Sequence, residues 1–194
     1  MKLLLYCTKA KPQLFSGNSI YNQEKIFSLV KGNNQEQYEK LETLKCLNNL
    51  TELNGKIVAE CDFEVEKHNE TTNDWLCMSL REKIVFGNLC EKANIDELEC
   101  YKYADGKPLY AIHIKNLHIF DEPKELGMAH YTTLKSADKI QKAPQNMCIV
   151  RSYYPKDYSE KYILISIRPE WLCKILNKEK TIEVRRKVLK EMLK

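Results

Sequence analysis

Four residues near the end of the sequence could do chemistry together. Lys180, Thr181, Glu183 and Arg185 place an ammonium, a hydroxyl, a carboxylate and a guanidinium within one short stretch. Thr181, Glu183 and Arg185 are spaced by two, the period of a β-strand. An extended chain therefore turns them to one face and Ile182 and Val184 to the other, with Lys180 at the mouth of the row. Such a row can hydrogen-bond the edge of a heterocycle or hold a phosphate. The plain alternative is a solvated strand face with one Glu–Arg pair, worth little to stability. Spacing alone favours that alternative.

The elements that must position this row are readable just before it. Tyr162–Ile167 is a mostly apolar run, expected as a strand buried on both faces. Pro169 suits the first position of a helix, and Glu170 beside it favours the positive end of the helix dipole. Trp171, Leu172, Ile175 and Leu176 then share one helical face, and Asn177 is expected as a left-handed stop. A strand resumes over Lys180–Arg185, and Val188, Leu189, Met192 and Leu193 predict a short amphipathic helix after it.

Further upstream, Lys2–Thr8 reads as a strand closed by Lys9, Ala10, Lys11 and Pro12. Residues 18–50 are polar and rich in Asn and Gln, with apolar residues at roughly helical spacing, and predict a helical insertion. Asn54-Gly55 marks a tight turn. The strand Lys56–Glu66 follows, with Cys61, Phe63 and Val65 on one face and Glu60, Asp62, Glu64 and Glu66 on the other. Residues 67–107 form a second helical insertion, with a helix near Asp96–Tyr103 and a turn at Asp105-Gly106. Leu109–Phe120 is a further strand, ended by Asp121, Glu122 and Pro123. Several strands with few crossover helices predict a single α+β domain over residues 1–194, built on a closed or half-closed mixed sheet.

Composition narrows the function classes. The chain has 31 Lys and Arg against 27 Asp and Glu, a formal charge of +4. Residues 178–194 hold seven of the basic groups and three of the acidic ones, which leaves the first 177 residues balanced at 24 against 24. A uniformly basic nucleic-acid coat is therefore not expected. Hydrophobic residues at 43% support a core and argue against disorder. Eight cysteines occur without CxxC spacing, and the four histidines form no ligand pair. Neither a disulfide framework nor a metal site is expected, and no cofactor. The absence of a signal pattern and of a long apolar run predicts a cytoplasmic chain with buried reduced thiols and no membrane partner.

The stretch from Ile165 through Arg185, containing Arg168-Pro169-Glu170-Trp171-Leu172 and Lys180-Thr181-Ile182-Glu183-Val184-Arg185, resembles the signature of ASCH domains, members of the PUA-like superfamily of small β-barrels. Asn177 stands near where that family commonly has Gly. Weaker echoes lie in Leu3–Pro12, Gly55–Val65, Ala111–Pro123 and the Pro144-Gln145 turn. Together they place the signature last instead of first, a permuted order similar to that of proteins from bacteriophages and low-GC bacteria. The resemblance implies a PUA-like mixed barrel with a cleft for RNA or a modified nucleotide at the signature strand. Lys9, at the rim of that barrel, Arg168, Thr181, Arg185 and Gln145 are then the expected ligand contacts.

Some small ASCH proteins are similar to amidohydrolases that remove acyl groups from modified cytidine, and others are reported as ribonucleases. In the amidohydrolase type a Lys acts with a Thr three residues later and a distant Glu. Lys180 matches that Lys, but Glu183 occupies the Thr position. The resemblance thus supports binding first. A metal-independent hydrolase, with Glu183 as base and Lys180 stabilising an oxyanion, is the alternative. A third reading is a phage-encoded interaction protein that holds a host protein or a signalling nucleotide, using the two insertions as its surface.

Trp171 reads as a packing residue more than a stacking platform. His113 and His118, five apart on a strand, face opposite sides. Cys173 reads as a core thiol. Tyr153-Tyr154-Pro155 could stack on bases or seal a barrel end. The basic run from Arg186 to Lys190 suits sequence-independent phosphate contacts, or a solvated helix face.

Overall fold

The computed structural model describes residues 1–8, 53, 55–68, 78–126, 131–133, 140, 142–152 and 160–193. The expected insertion at 18–50, Lys9 and the Tyr153–Pro155 run lie outside them. Seven strands form one mixed sheet: β1 (Lys2–Cys7), β2 (Lys56–His68), β3 (Leu109–Glu125), β4 (Tyr131–Thr133), β5 (Met147–Ser152), β6 (Lys161–Ile167) and β7 (Ile182–Arg185). Their hydrogen-bonded order is β4-β5-β6-β1-β2-β3-β7. Three α-helices join them among the described residues, α1 (Leu80–Ala93), α2 (Glu97–Ala104) and α3 (Pro169–Leu176). The α+β class expected from the sequence is what the chain adopts. It divides into two compact units, residues 1–60 with 118–177, and residues 61–117 with 178–194.

The first unit is organised by β1 and β6. They pair in parallel, Leu3 with Ile163 through Cys7 with Ile167. Leu3, Leu4, Leu5, Ile163, Leu164 and Ile165 are all fully buried, the consequence of apolar runs with no polar alternation. β5 pairs antiparallel on the other side of β6. One core gathers Leu4, Tyr6, Ile57, Val150 and Leu164, and α3 packs against β1. Gly55 has φ 84°, a left-handed value that favours glycine at this turn, and its N–H donates to Cys7 O at 2.9 Å.

The second unit is built on helices α1 and α2. Ser79 caps α1 through a reciprocal capping box with Glu82, and Asp96 accepts from Leu98 N and Glu99 N at the start of α2. Asn94 and Asp105 end the two helices at φ 51° and 52°. Phe86, Leu89, Cys90, Ala93, Cys100 and Ala104 pack with Ala111, Ile182 and Val184 into a separate core.

Several boundaries differ from expectation. α1 lies within the second helical insertion, 67–107, where only the helix near Asp96–Tyr103 was expected. Its apolar residues are not confined to one face: Leu80, Ile84 and Val85 are exposed while Phe86 and Leu89 are buried, so the helical stripe is blurred. β3 runs past Pro123 to Glu125. β7 covers only Tyr110–His113 of it, and a residue without an N–H is tolerated along the remaining edge. The final helix is a single 3-10 turn, Lys190–Leu193, with Met192 buried and Leu193 exposed. The described cysteines, 7, 61, 90, 100, 148 and 173, form no disulfide.

Gly87 sits inside α1, and a Cβ there would meet Glu97 Oε1 at 3.0 Å, the far end of a flexible exposed side chain. Gly87→Ala is expected to stabilise the protein by about 0.5–1 kcal/mol, because Ala costs less backbone entropy in a helix. A urea midpoint that falls in the variant would show that the carboxylate cannot give way.

Candidate functional site

α3 begins with Pro169 at its first position, and Arg168 O accepts the amides of Trp171 and Leu172. Its buried face is Leu172, Cys173, Ile175 and Leu176. Trp171 is only half-buried, with Lys174 Nζ 4.9 Å from its ring centre. The expected left-handed stop falls one residue later than Asn177. Asn177 keeps helical angles, its N–H still directed at Cys173 O and Ile175 O, and Lys178 takes φ 64°.

β7 has the alternation expected of it. It pairs antiparallel with β3, Ile182 opposite His113, Glu183 opposite Ile112, Val184 opposite Ala111 and Arg185 opposite Tyr110. Ile182 and Val184 enter the core under α1 and α2, which turns Glu183 and Arg185 to the opposite face. Thr181 precedes the strand and is exposed. Its backbone is nonetheless tied at both ends: its N–H donates to Lys92 O at 3.0 Å, and its carbonyl accepts from Ile114 N at 2.9 Å.

Lys180 is not at an open mouth. Its side chain is 1% exposed, first in size among the fully buried side chains of the described residues. Its Nζ donates to Ala93 O at 2.8 Å, the last residue of α1. The same Nζ stands 3.4 Å from Glu183 Oε2. On the other side of that carboxylate, Arg185 Nε lies 2.8 Å from Oε1. This distance is that of an ion pair, although the N–H is not aligned as a hydrogen bond. Glu183 is thus held between two cations. An ammonium can be buried only when its charge and donors are matched. The end of a helix supplies both a carbonyl and the negative end of its dipole.

Around this row the surface is basic. Arg186 and Lys187 follow directly and are exposed. The Arg186 guanidinium lies over the ring of Tyr103 on α2, 5.0 Å from its centre, within cation–π range.

The other expected site residues stand elsewhere in the chain's two units. Arg168 and Gln145 belong to the first unit and are exposed. The turn that carries Gln145 is fastened to β6, since Ser166 Oγ donates to Pro144 O at 2.7 Å and Ser166 N to Asn146 O at 2.9 Å. The structure therefore brings Lys180, Glu183 and Arg185 together within the second unit, with Thr181 adjoining through its backbone. His113 meets Glu66 at 3.2 Å and His118 stands edge-on to Phe120, so the two histidines have separate partners.

An open groove of about 560 Å³ lies along α1 and α2, lined by Lys83, Ile84, Gly87, Asn88, Glu91 and Glu97. None of the expected site residues lines it. Among the described residues, no cluster of His, Cys, Asp or Glu is arranged to hold a metal ion, and no helix is long and apolar enough to cross a membrane. Comparison of the chain with protein-family models, with curated proteins and with solved structures gives no match in any of the three.

Sequence reasoning missed the backbone partner of Lys180. Nothing in the spacing of residues 180–185 signals a carbonyl 87 positions away. The capping box Ser79-x-x-Glu82 was the available clue that a helix starts there and must also end.

Lys180→Met is expected to destabilise the protein by about 3 kcal/mol, because it leaves a nearly buried carboxylate and a helix-end carbonyl without the ammonium. Replacing Glu183 as well, in Lys180→Met/Glu183→Leu, should recover at least about 1 kcal/mol of that loss. Equal urea midpoints for wild type and Lys180→Met would contradict the assignment.

Proposed function

We propose that the protein is a nucleotide- or RNA-binding domain of PUA-like, ASCH type, with its anion contact at the end of β7. One observation carries this reading: a single carboxylate, Glu183, stands between Lys180 and Arg185, and two exposed basic residues, Arg186 and Lys187, come next. Of Lys180, Glu183 and Arg185, the last is the most exposed side chain, at 17%, so an anionic group would meet its guanidinium first. A planar guanidinium matches phosphate geometry. Arg186 and Lys187 add phosphate attraction that does not read sequence. The mixed sheet and the resemblance of Ile165–Arg185 to the ASCH signature support the same assignment.

In this reading Lys180 and Glu183 are positioning residues. Lys180 holds Glu183, and Glu183 sets the direction of Arg185. The hydrolase alternative has less support. Lys180 Nζ is already engaged by Ala93 O at 2.8 Å with 1% exposure, so meeting a developing oxyanion would require it to leave the end of α1.

Fluorescence anisotropy with short labelled RNAs, and calorimetry with mononucleotides, test the proposal. Arg185→Ala should weaken binding by about ten-fold or more, as expected for loss of a charge-assisted contact. Arg186→Gln/Lys187→Gln should lower the dependence of log affinity on log salt by about 1–2, in line with one released counterion for each phosphate contact. Affinity and salt dependence that stay at wild-type values in both variants would overturn it.

A further inference from the structure

Two thiols in the second unit lie in one core on either side of the α1–α2 connection. Cys90 lies one turn before the end of α1, and Cys100 one turn into α2. Only Asn94, Ile95 and Asp96 separate the helices. The connection is fixed by Ile95 N donating to Cys90 O at 3.0 Å and Cys100 N to Asp96 O at 2.9 Å. Both side chains are enclosed in that core, each 1% exposed.

Interaction between the two thiols holds Cys100 below its ordinary range, helped by the nearby positive charge of Lys180, and pushes Cys90 up, with burial adding to that rise. Cys100 is thus the member that gives up its proton first, and Cys90 the one that keeps its own.

We propose that Cys90 and Cys100 are a redox-modification site that closes a reversible disulfide between α1 and α2 when the protein meets hydrogen peroxide. The Cys100 thiolate attacks one peroxide oxygen, the O–O bond breaks, and Cys100 becomes a sulfenic acid with release of hydroxide. The Cys90 sulfur then displaces the sulfenic oxygen. An S–S bond forms, the S–O bond breaks, and the Cys90 proton leaves with the hydroxyl as water. The two sulfurs together lose two electrons, and the peroxide is reduced.

Access follows from the build of α2. It has eight residues, and only Cys100 and Ala104 are buried, with Glu97, Leu98, Glu99, Lys102 and Tyr103 exposed. A two-turn helix held by so little apolar surface opens locally more easily than the strands of a core.

The test is peroxide treatment of the full-length folded chain, then denaturation, alkylation and peptide mapping without reductant. The expected result is a Cys90–Cys100 linked peptide as the main oxidised product, with simultaneous loss of both alkylation marks and their return after dithiothreitol. In Cys90→Ser the linked peptide should vanish, and a dimedone adduct should accumulate on Cys100. Full alkylation of both thiols while other cysteines oxidise would overturn the proposal. So would linkage of either one to a third cysteine such as Cys46 or Cys77. Neither readout involves nucleotide binding, so this inference can fail while the proposed function stands.

Discussion

The second unit depends on a buried ammonium. Lys180 is fully enclosed, and a charge in that position is tolerated only because Ala93 O and the Glu183 carboxylate both meet it. Those two partners come from different kinds of structure, a helix end and a strand. The ammonium therefore joins the C-terminus of α1 to β7, and the Thr181 N–H to Lys92 O bond repeats the join in the backbone. Once α1 and β7 are fixed in this way, Ile182 and Val184 have one core to enter and Glu183 and Arg185 have one face to occupy.

This constraint changes the meaning of the basic excess in residues 178–194. Part of it, Lys180, is structural and faces inward. Another part, Arg185 to Lys187, is at or near the surface, with Arg186 seated on Tyr103. A ligand that prefers this place would meet the Arg185 guanidinium, which Glu183 holds, while Lys180 stays buried behind it. Chemistry that needs Lys180 at the reacting atoms is harder to build here than recognition of an anion.

The first unit was largely legible in the sequence. Leu3–Leu5 and Ile163–Ile165 are continuous apolar runs, and such runs suit strands buried on both faces. Pro169 and Glu170 announced the start of α3 for a reason that is local to the chain. The alternation of Ile182, Glu183, Val184 and Arg185 was equally plain. Less legible were features that depend on distant partners. The bounds of α1 within the second helical insertion were hidden because Leu80, Ile84 and Val85 face outward and break its periodicity. The burial of Lys180 was hidden because its partner is a backbone carbonyl far away in sequence. Asn177 illustrates a smaller limit: the residue type suited a left-handed stop, but the hydrogen bonds of α3 continue through it and leave that conformation to Lys178.

The most direct measurement of the central claim is the side-chain ¹⁵N spectrum of lysine-labelled protein, read for exchange of ammonium protons with water. A buried, hydrogen-bonded Lys180 should give a protected Nζ resonance set apart from the surface lysines, and it should remain protected when nucleotide is added. A Lys180 ammonium that exchanges as fast as the exposed lysines would contradict the account.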